Sequence, residues 1–215
     1  MKITVWSSIS LALLAGALGA PAFAAKDAGS FDVYYVPSAK LKNESGGSTS
    51  NSDGGSGFGV KGQFPVDRSV FLLGEYQANS YDGFDGFKAD TNLDTLRLGV
   101  GFKHPSGLFV SGEYIKAKFK IDAPAPFGTD ESNSGYGVHG GVMADLSPQF
   151  NFSADIGYLD LGNDGGNGLE FRVGGAFALS NQYGIFADYR QSELKDNSNN
   201  KNTLSDVRVG FRVNL

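Results

Sequence analysis

From Ser30 onward, apolar and polar side chains alternate in runs of about ten residues. A period of two is the mark of a strand with one apolar face. The runs predict strands near 31–41, 57–65, 70–78, 92–103, 108–120, 134–145, 150–159, 169–178, 183–192 and 203–215. Between them, short and long connections take strict turns. The short ones, "PVDRS", "HPSG", "LSPQ" and "LSNQ", carry turn chemistry. The long ones, 42–56, 79–91, 121–133, 160–168 and 192–202, are rich in Asn, Ser, Gly and Asp. The first, "KNESGGSTSNSDGG", is too polar to bury anything and reads as a loop. No helical period appears after residue 24. The pattern predicts an all-β, closed, antiparallel up-and-down barrel of ten strands, with eight as the alternative count. Both chain ends then lie on the side of the short turns.

One face carries Phe58, Val60, Leu72, Tyr76, Leu96, Leu98, Val100, Val110, Tyr114, Tyr136, Val138, Ile156, Tyr158, Phe171 and Ile185. The other carries charges, Ser, Thr and many glycines, among them Gly59, Gly99, Gly101, Gly137, Gly141, Gly174 and Gly210. Alternation alone does not say which face is inside. A convex, water-facing surface has no need of small residues, whereas a narrow lumen does. The aromatic residues also fall on two levels. Phe64, Phe102, Phe150, Phe177 and Tyr183 lie beside the short turns, and Tyr76, Tyr114, Tyr136, Tyr158 and Tyr189 lie higher. Two aromatic girdles flanking an apolar band belong at two membrane interfaces.

The charges on the small-residue face are ordered too. Glu75, Arg97, Glu113, His139, Asp155, Arg172, Asp188 and Arg208 stand at nearly one depth, one from each of eight successive strands. Acids alternate with Arg or His. Turns near Ser106, Ser147 and Asn181 would place Arg97 beside Glu113, His139 beside Asp155, and Arg172 beside Asp188. Neighbouring strands are ~4.8 Å apart, so each charge can meet an opposite one. Pairing offsets most of the several kcal/mol that an isolated buried charge costs. The reading is a charge ring in a membrane barrel whose apolar face looks outward.

The first 24 residues fit that destination. "MKITVWSSISLALLAGALGAPAFA" has a Lys near its start, an apolar stretch and the small-residue site Ala22-Phe23-Ala24. It reads as a cleavable signal peptide at 1–24, leaving a barrel domain at 25–215; a transmembrane helix is the other reading. Without Lys2 the chain keeps 17 basic against 23 acidic groups, a balance unsuited to nucleic acid. It has no cysteine for a disulfide or for lipid attachment.

The last strand carries a more specific mark. In "VRVGFRVNL", Val207, Val209, Phe211, Val213 and Leu215 alternate to the final residue, with Gly210 among them. This resembles the C-terminal signal of bacterial outer-membrane β-barrels, and a closed barrel protects such a strand by pairing it with the first. The chain from 25 on is similar to the small OmpA/OmpX-like, or porin-family, barrels. The strand count also resembles small barrels of plant-associated bacteria related to quorum signals or immune elicitation. The resemblance implies a monomer in the outer membrane with no cofactor. It implies the barrel-assembly machinery as a partner reading Val209, Gly210, Phe211, Val213 and Leu215. Leu215 stands where the family usually ends on an aromatic residue.

Barrels of this kind include enzymes. The ten-stranded omptin proteases carry Asp-x-Asp and Asp-x-His pairs at the outer rim, and the barrel lipid A deacylases pair His with a Ser two residues on. Here His104 lies in a short turn, and His139, in "GYGVHGGV", is followed by Gly140 and Gly141. No catalytic residue is assigned. "DESNSG" and "NDGGNG" lack the ligand count of a calcium loop, so no metal is assigned either. Lys116, Lys118 and Lys120 share the outward parity of Tyr114 beyond its girdle, where the phosphates of lipopolysaccharide would lie. The expected function is a non-enzymatic barrel that supports envelope integrity and presents its long connections to surfaces or host molecules. A narrow channel for small solutes or ions is the alternative.

Overall fold

The structure, a computed structural model, describes residues 29–84, 90–122 and 128–215. The expected signal peptide lies outside the described residues. Ten antiparallel strands close on themselves: β1 (Ser30–Ser45), β2 (Ser48–Pro65), β3 (Val70–Phe84), β4 (Asp90–Lys103), β5 (Leu108–Asp122), β6 (Thr129–Asp145), β7 (Phe150–Asp160), β8 (Asn167–Ala178), β9 (Tyr183–Lys195) and β10 (Lys201–Asn214). Each strand pairs with its sequence neighbour, and β10 pairs with β1 from Ser30↔Asn214 to Glu44↔Lys201. Closure gives every strand a partner on both sides, which is what a sheet in lipid requires.

The strands run further into the long connections than alternation predicts. Residues 42–56 form the tip of the β1–β2 hairpin rather than a loop. Gly46 and Gly47 turn the chain with φ of 56° and 83° between the paired residues Ser45 and Ser48. Two successive positive φ values make the two-residue turn that matches strand twist, and glycine takes them without strain. The connection after β7 holds a single helical turn, α1 (Gly162–Gly165). A register shift between Tyr35/Val209 and Ser38/Val207 accommodates Pro37 in β1. Proline has no N–H to give a ladder, so it sits where the ladder is interrupted.

The apolar face is outward. Val33, Phe58, Leu72, Leu98, Val100, Val110, Val138, Ile156 and Phe211 are all exposed, and so are both aromatic levels apart from half-buried Tyr189. In a water-soluble fold such a continuous band would be unfavourable; here it is the surface that meets lipid. The core is the lumen. At the long-connection end it is apolar: Val36, Ala39, Leu41 and Tyr81 are buried there, with Leu93, Phe119 and Leu204 against them. Ile115, Leu159, Leu161 and Leu194 form a second buried cluster at the same end. The lumen-facing glycines are required by what crosses over them. A Cβ on Gly59 would lie 2.3 Å from the Tyr34 ring, and one on Gly157 would lie 2.0 Å from the His139 ring.

Candidate functional site: the charged lumen

Below the apolar plug the lumen is filled by charges, and glycine makes their packing feasible. The residues directly opposite Glu113, Asp155 and Asp188 across the short turns are Gly99, Gly141 and Gly174. The bases Arg97, His139 and Arg172 lie two residues further along. A Cβ on Gly141 or Gly174 would come within 2.4 Å of the facing acid's Cβ. Each glycine therefore leaves room for an acid to turn inward, and the long bases reach diagonally or across the barrel instead of sideways.

Arg97 on β4 and Glu170 on β8 form a two-pronged pair across the lumen, Nη1 to Oε1 and Nη2 to Oε2, both at 2.7 Å. This fork geometry is the strong form of an arginine–carboxylate contact. Ser192 Oγ donates to the same Glu170 at 2.6 Å. Glu113 receives Arg97 at 3.4 Å and Arg172 at 3.1 Å, while Arg172 Nε donates to Asp155 at 2.8 Å. His139 is wedged between the two glutamates, with Nδ1 3.3 Å from Glu113 and Nε2 3.3 Å from Glu170.

A second group braces the other side. Arg190 on β9 holds Glu75 on β3 at 2.7 Å and Asp206 on β10 at 2.7 Å. Arg208 pairs with Glu75 at 3.1 Å and with Asp188 beside it. Lys61 reaches Asp188 at 2.6 Å. Gln77 accepts from Tyr34 at 3.0 Å and from Arg190 at 2.9 Å, and donates to Asp206 at 3.0 Å. At the closing seam Arg212 grips Asp32, its direct partner across β10 and β1, with both bonds at 2.8 Å.

The eight aligned charges all point into the lumen, but their partners differ from simple neighbours. Glu75 with Arg97, Asp155 with Arg172, and Asp188 with Arg208 are direct cross-strand partners. His139 meets Glu113 and Glu170 rather than Asp155, and Arg172 meets Asp155 and Glu113 rather than Asp188. The cause is the stagger of the strands, which sets these bases two residues past the acids. Sequence reasoning also passed over Asp32, Lys61, Glu170, Arg190, Asp206 and Arg212. Each shares the inward parity of its strand, and parity alone would have found them; Lys61 even stands directly opposite Glu75.

On the short-turn side of this network lies an open cavity of about 170 Å³. Ser111 Oγ and Arg97 Nε, both lining residues, are buried without a hydrogen-bond partner. His104 is remote, hydrogen-bonded to Ser106 in its turn at 2.8 Å. Lys116, Lys118 and Lys120 are exposed on the outer face, and Lys118 pairs with Asp130 at 3.2 Å. Of the residues read as an assembly signal, Val209 and Phe211 are exposed to the lipid side, and Val209, Gly210, Phe211 and Val213 each pair with β1.

Residues 10–177 match the family model described as "Outer membrane protein beta-barrel domain". No curated protein matches the sequence. Among solved structures, the translocator domain of the autotransporter NalP from Neisseria meningitidis is 14% identical with a TM-score of 0.50, over 95% of this chain and 93% of that one. The outer membrane protease OmpT from Escherichia coli is 9% identical with a TM-score of 0.50, over 92% of this chain and 99% of that one. Ail, the attachment invasion locus protein of Yersinia pestis, is 15% identical with a TM-score of 0.40, over 86% of this chain and 99% of that one. At these identities the likeness is one of fold.

Proposed function

Because the chain belongs to the outer-membrane β-barrel domain family and so to the bacterial outer membrane, we propose that it is a plugged, non-enzymatic barrel. In this reading it supports envelope integrity and offers its protruding hairpins as a binding surface. The observation that carries the reading is the cross-lumen bracing. Arg97–Glu170, Arg190–Glu75, Arg172–Glu113 and Lys61–Asp188 each join strands far apart on the barrel wall. The two apolar clusters stand above them. Such filling makes the wall rigid and leaves the long hairpins, not the bore, facing the outside. Against catalysis stand the histidines: one in a short turn, the other packed mid-lumen between glutamates.

Two partners follow from the same placement. The exposed Lys116, Lys118 and Lys120, above Tyr114 and Tyr136, suit the phosphates of lipopolysaccharide. The terminal strand suits the barrel-assembly machinery. Planar-bilayer recording of refolded protein tests the plug. A barrel that inserts and stays closed fits the proposal; steady ion conductance through the unmodified protein replaces it with the narrow-channel reading.

A further inference from the structure

The open cavity on the short-turn side is lined by two buried groups without a hydrogen-bond partner, Ser111 Oγ and Arg97 Nε. Its charged wall brings Lys61, Arg172, Arg208 and Arg212 to Asp32, Glu75, Asp155 and Asp188. The two signs balance in number, and Asp155 accepts through Oδ1 alone. Both oxygens of Asp32, Glu75 and Asp188 already accept from protein cations. The guanidinium groups have more N–H donors than these bonds use. Arg172 spends Nε on Asp155 and Nη2 on Glu113, and Arg212 spends Nε and Nη2 on Asp32. An arginine carries five N–H donors, so each keeps donors in reserve. The side chains of Arg172, Arg212 and Lys61 retain about a fifth of their exposure. Ser111 is 4% exposed, its hydroxyl is unpartnered, and it lines the same space.

The opposite wall is apolar, built of Phe71, Leu73, Phe109 and Met143. Phe71 and Phe109 meet edge to face, with centroids 6.3 Å apart. The cavity is about 170 Å³, close to the ~150 Å³ of an apolar cavity known to admit benzene. A charged wall with two orphaned donors facing an apolar wall, in that volume, selects by chemistry. We propose that this cavity is a binding site for a small organic monocarboxylate entering from the periplasm, its anionic head on the arginines and Ser111 and its apolar body against Phe71, Phe109 and Met143. The proposal is independent of whether the barrel conducts, since the site is reached from the short-turn side alone.

Binding of benzoate and of hexanoate to the refolded barrel, in a non-ionic detergent, tests it by calorimetry and by NMR shifts of the Met143 methyl group. Both carboxylates should saturate the protein, and hexylamine and hexanol should bind at least about tenfold more weakly, a difference of ~1.4 kcal/mol. Ser111→Val should weaken carboxylate binding several-fold, and Met143→Trp, which fills the cavity, should abolish it. Retained heat-modifiable migration on gels would show that both variants still fold. Either of two results overturns the proposal: no saturable carboxylate binding by folded protein at millimolar concentration, or equal binding of the amine. Binding that survives both substitutions would place the ligand elsewhere and overturn it too.

Discussion

At the scale of single residues, Arg97 is a buried charge held by two glutamates, Glu170 and Glu113. It is 5% exposed and spends both terminal nitrogens on Glu170. Removing one member of a buried pair costs ~3–5 kcal/mol, because the other charge stays behind. Arg97→Met should therefore lower unfolding stability in detergent by about that amount. Adding Glu170→Gln should recover a large part of it, since a neutral amide tolerates the site. Chemical denaturation monitored by tyrosine fluorescence measures both. Additive losses in the double variant would show that the two side chains are not coupled. The sequence made Arg97 visible through its alternation with Glu75 and Glu113, but not its partner. Glu170 stands on the inward parity of β8 one step above the common depth, and contacts across a barrel depend on which strands face each other. Strand order gives that ordering only after closure is known.

Elements show the same division between what a pattern carries and what it does not. The lipid-facing strand segments announce themselves by alternation, because a two-residue period is forced wherever one face meets lipid. Above the membrane both faces meet water or each other, the alternation fades, and the outer ends of β1, β2, β6 and β10 read as loops. The β9–β10 connection shows local chemistry taking over. Asp196 accepts from the backbone N–H groups of Ser198 at 2.8 Å and Asn200 at 2.9 Å, and from the Asn200 amide at 2.8 Å. Those bonds, that of the Asn200 side chain first, hold its carboxyl below the usual aspartate range. A depressed value means that this ordering is present at neutral pH and is lost as pH falls through it. Asp196→Ala should lower amide-exchange protection at Ser198 and Asn200 while leaving the barrel strands unchanged. The closing strand makes the heavier prediction. Deleting Phe211 to Leu215 removes the Arg212–Asp32 grip and the pairs Phe211↔Val33 and Val213↔Phe31. Little of that protein should reach the outer membrane in cell fractionation. The lysines on β5 act at their own level: Lys116→Gln/Lys118→Gln/Lys120→Gln should reduce the stabilisation conferred by added lipopolysaccharide. The difference should shrink in high salt, which screens exposed charges.

For the whole molecule, the two fillings of the lumen act in series. The charged braces lie mid-barrel, and Ile115, Leu159, Leu161 and Leu194 are buried beyond them toward the long hairpins. A path conducts only when every constriction along it is open, so one breach should not suffice. Arg97→Ala alone should leave the barrel closed, because the apolar cluster still excludes water and ions from the bore. Ile115→Ala/Leu159→Ala alone should also stay closed, because the Arg97–Glu170 fork still spans the lumen below. Joining Arg97→Ala and Glu170→Ala to Ile115→Ala/Leu159→Ala removes material at both levels. That quadruple variant should show steady conductance in a planar bilayer, provided it still migrates as a folded, heat-modifiable barrel. Conductance from Arg97→Ala by itself would mean that the apolar cluster does not seal, and that the charged network alone closes the bore.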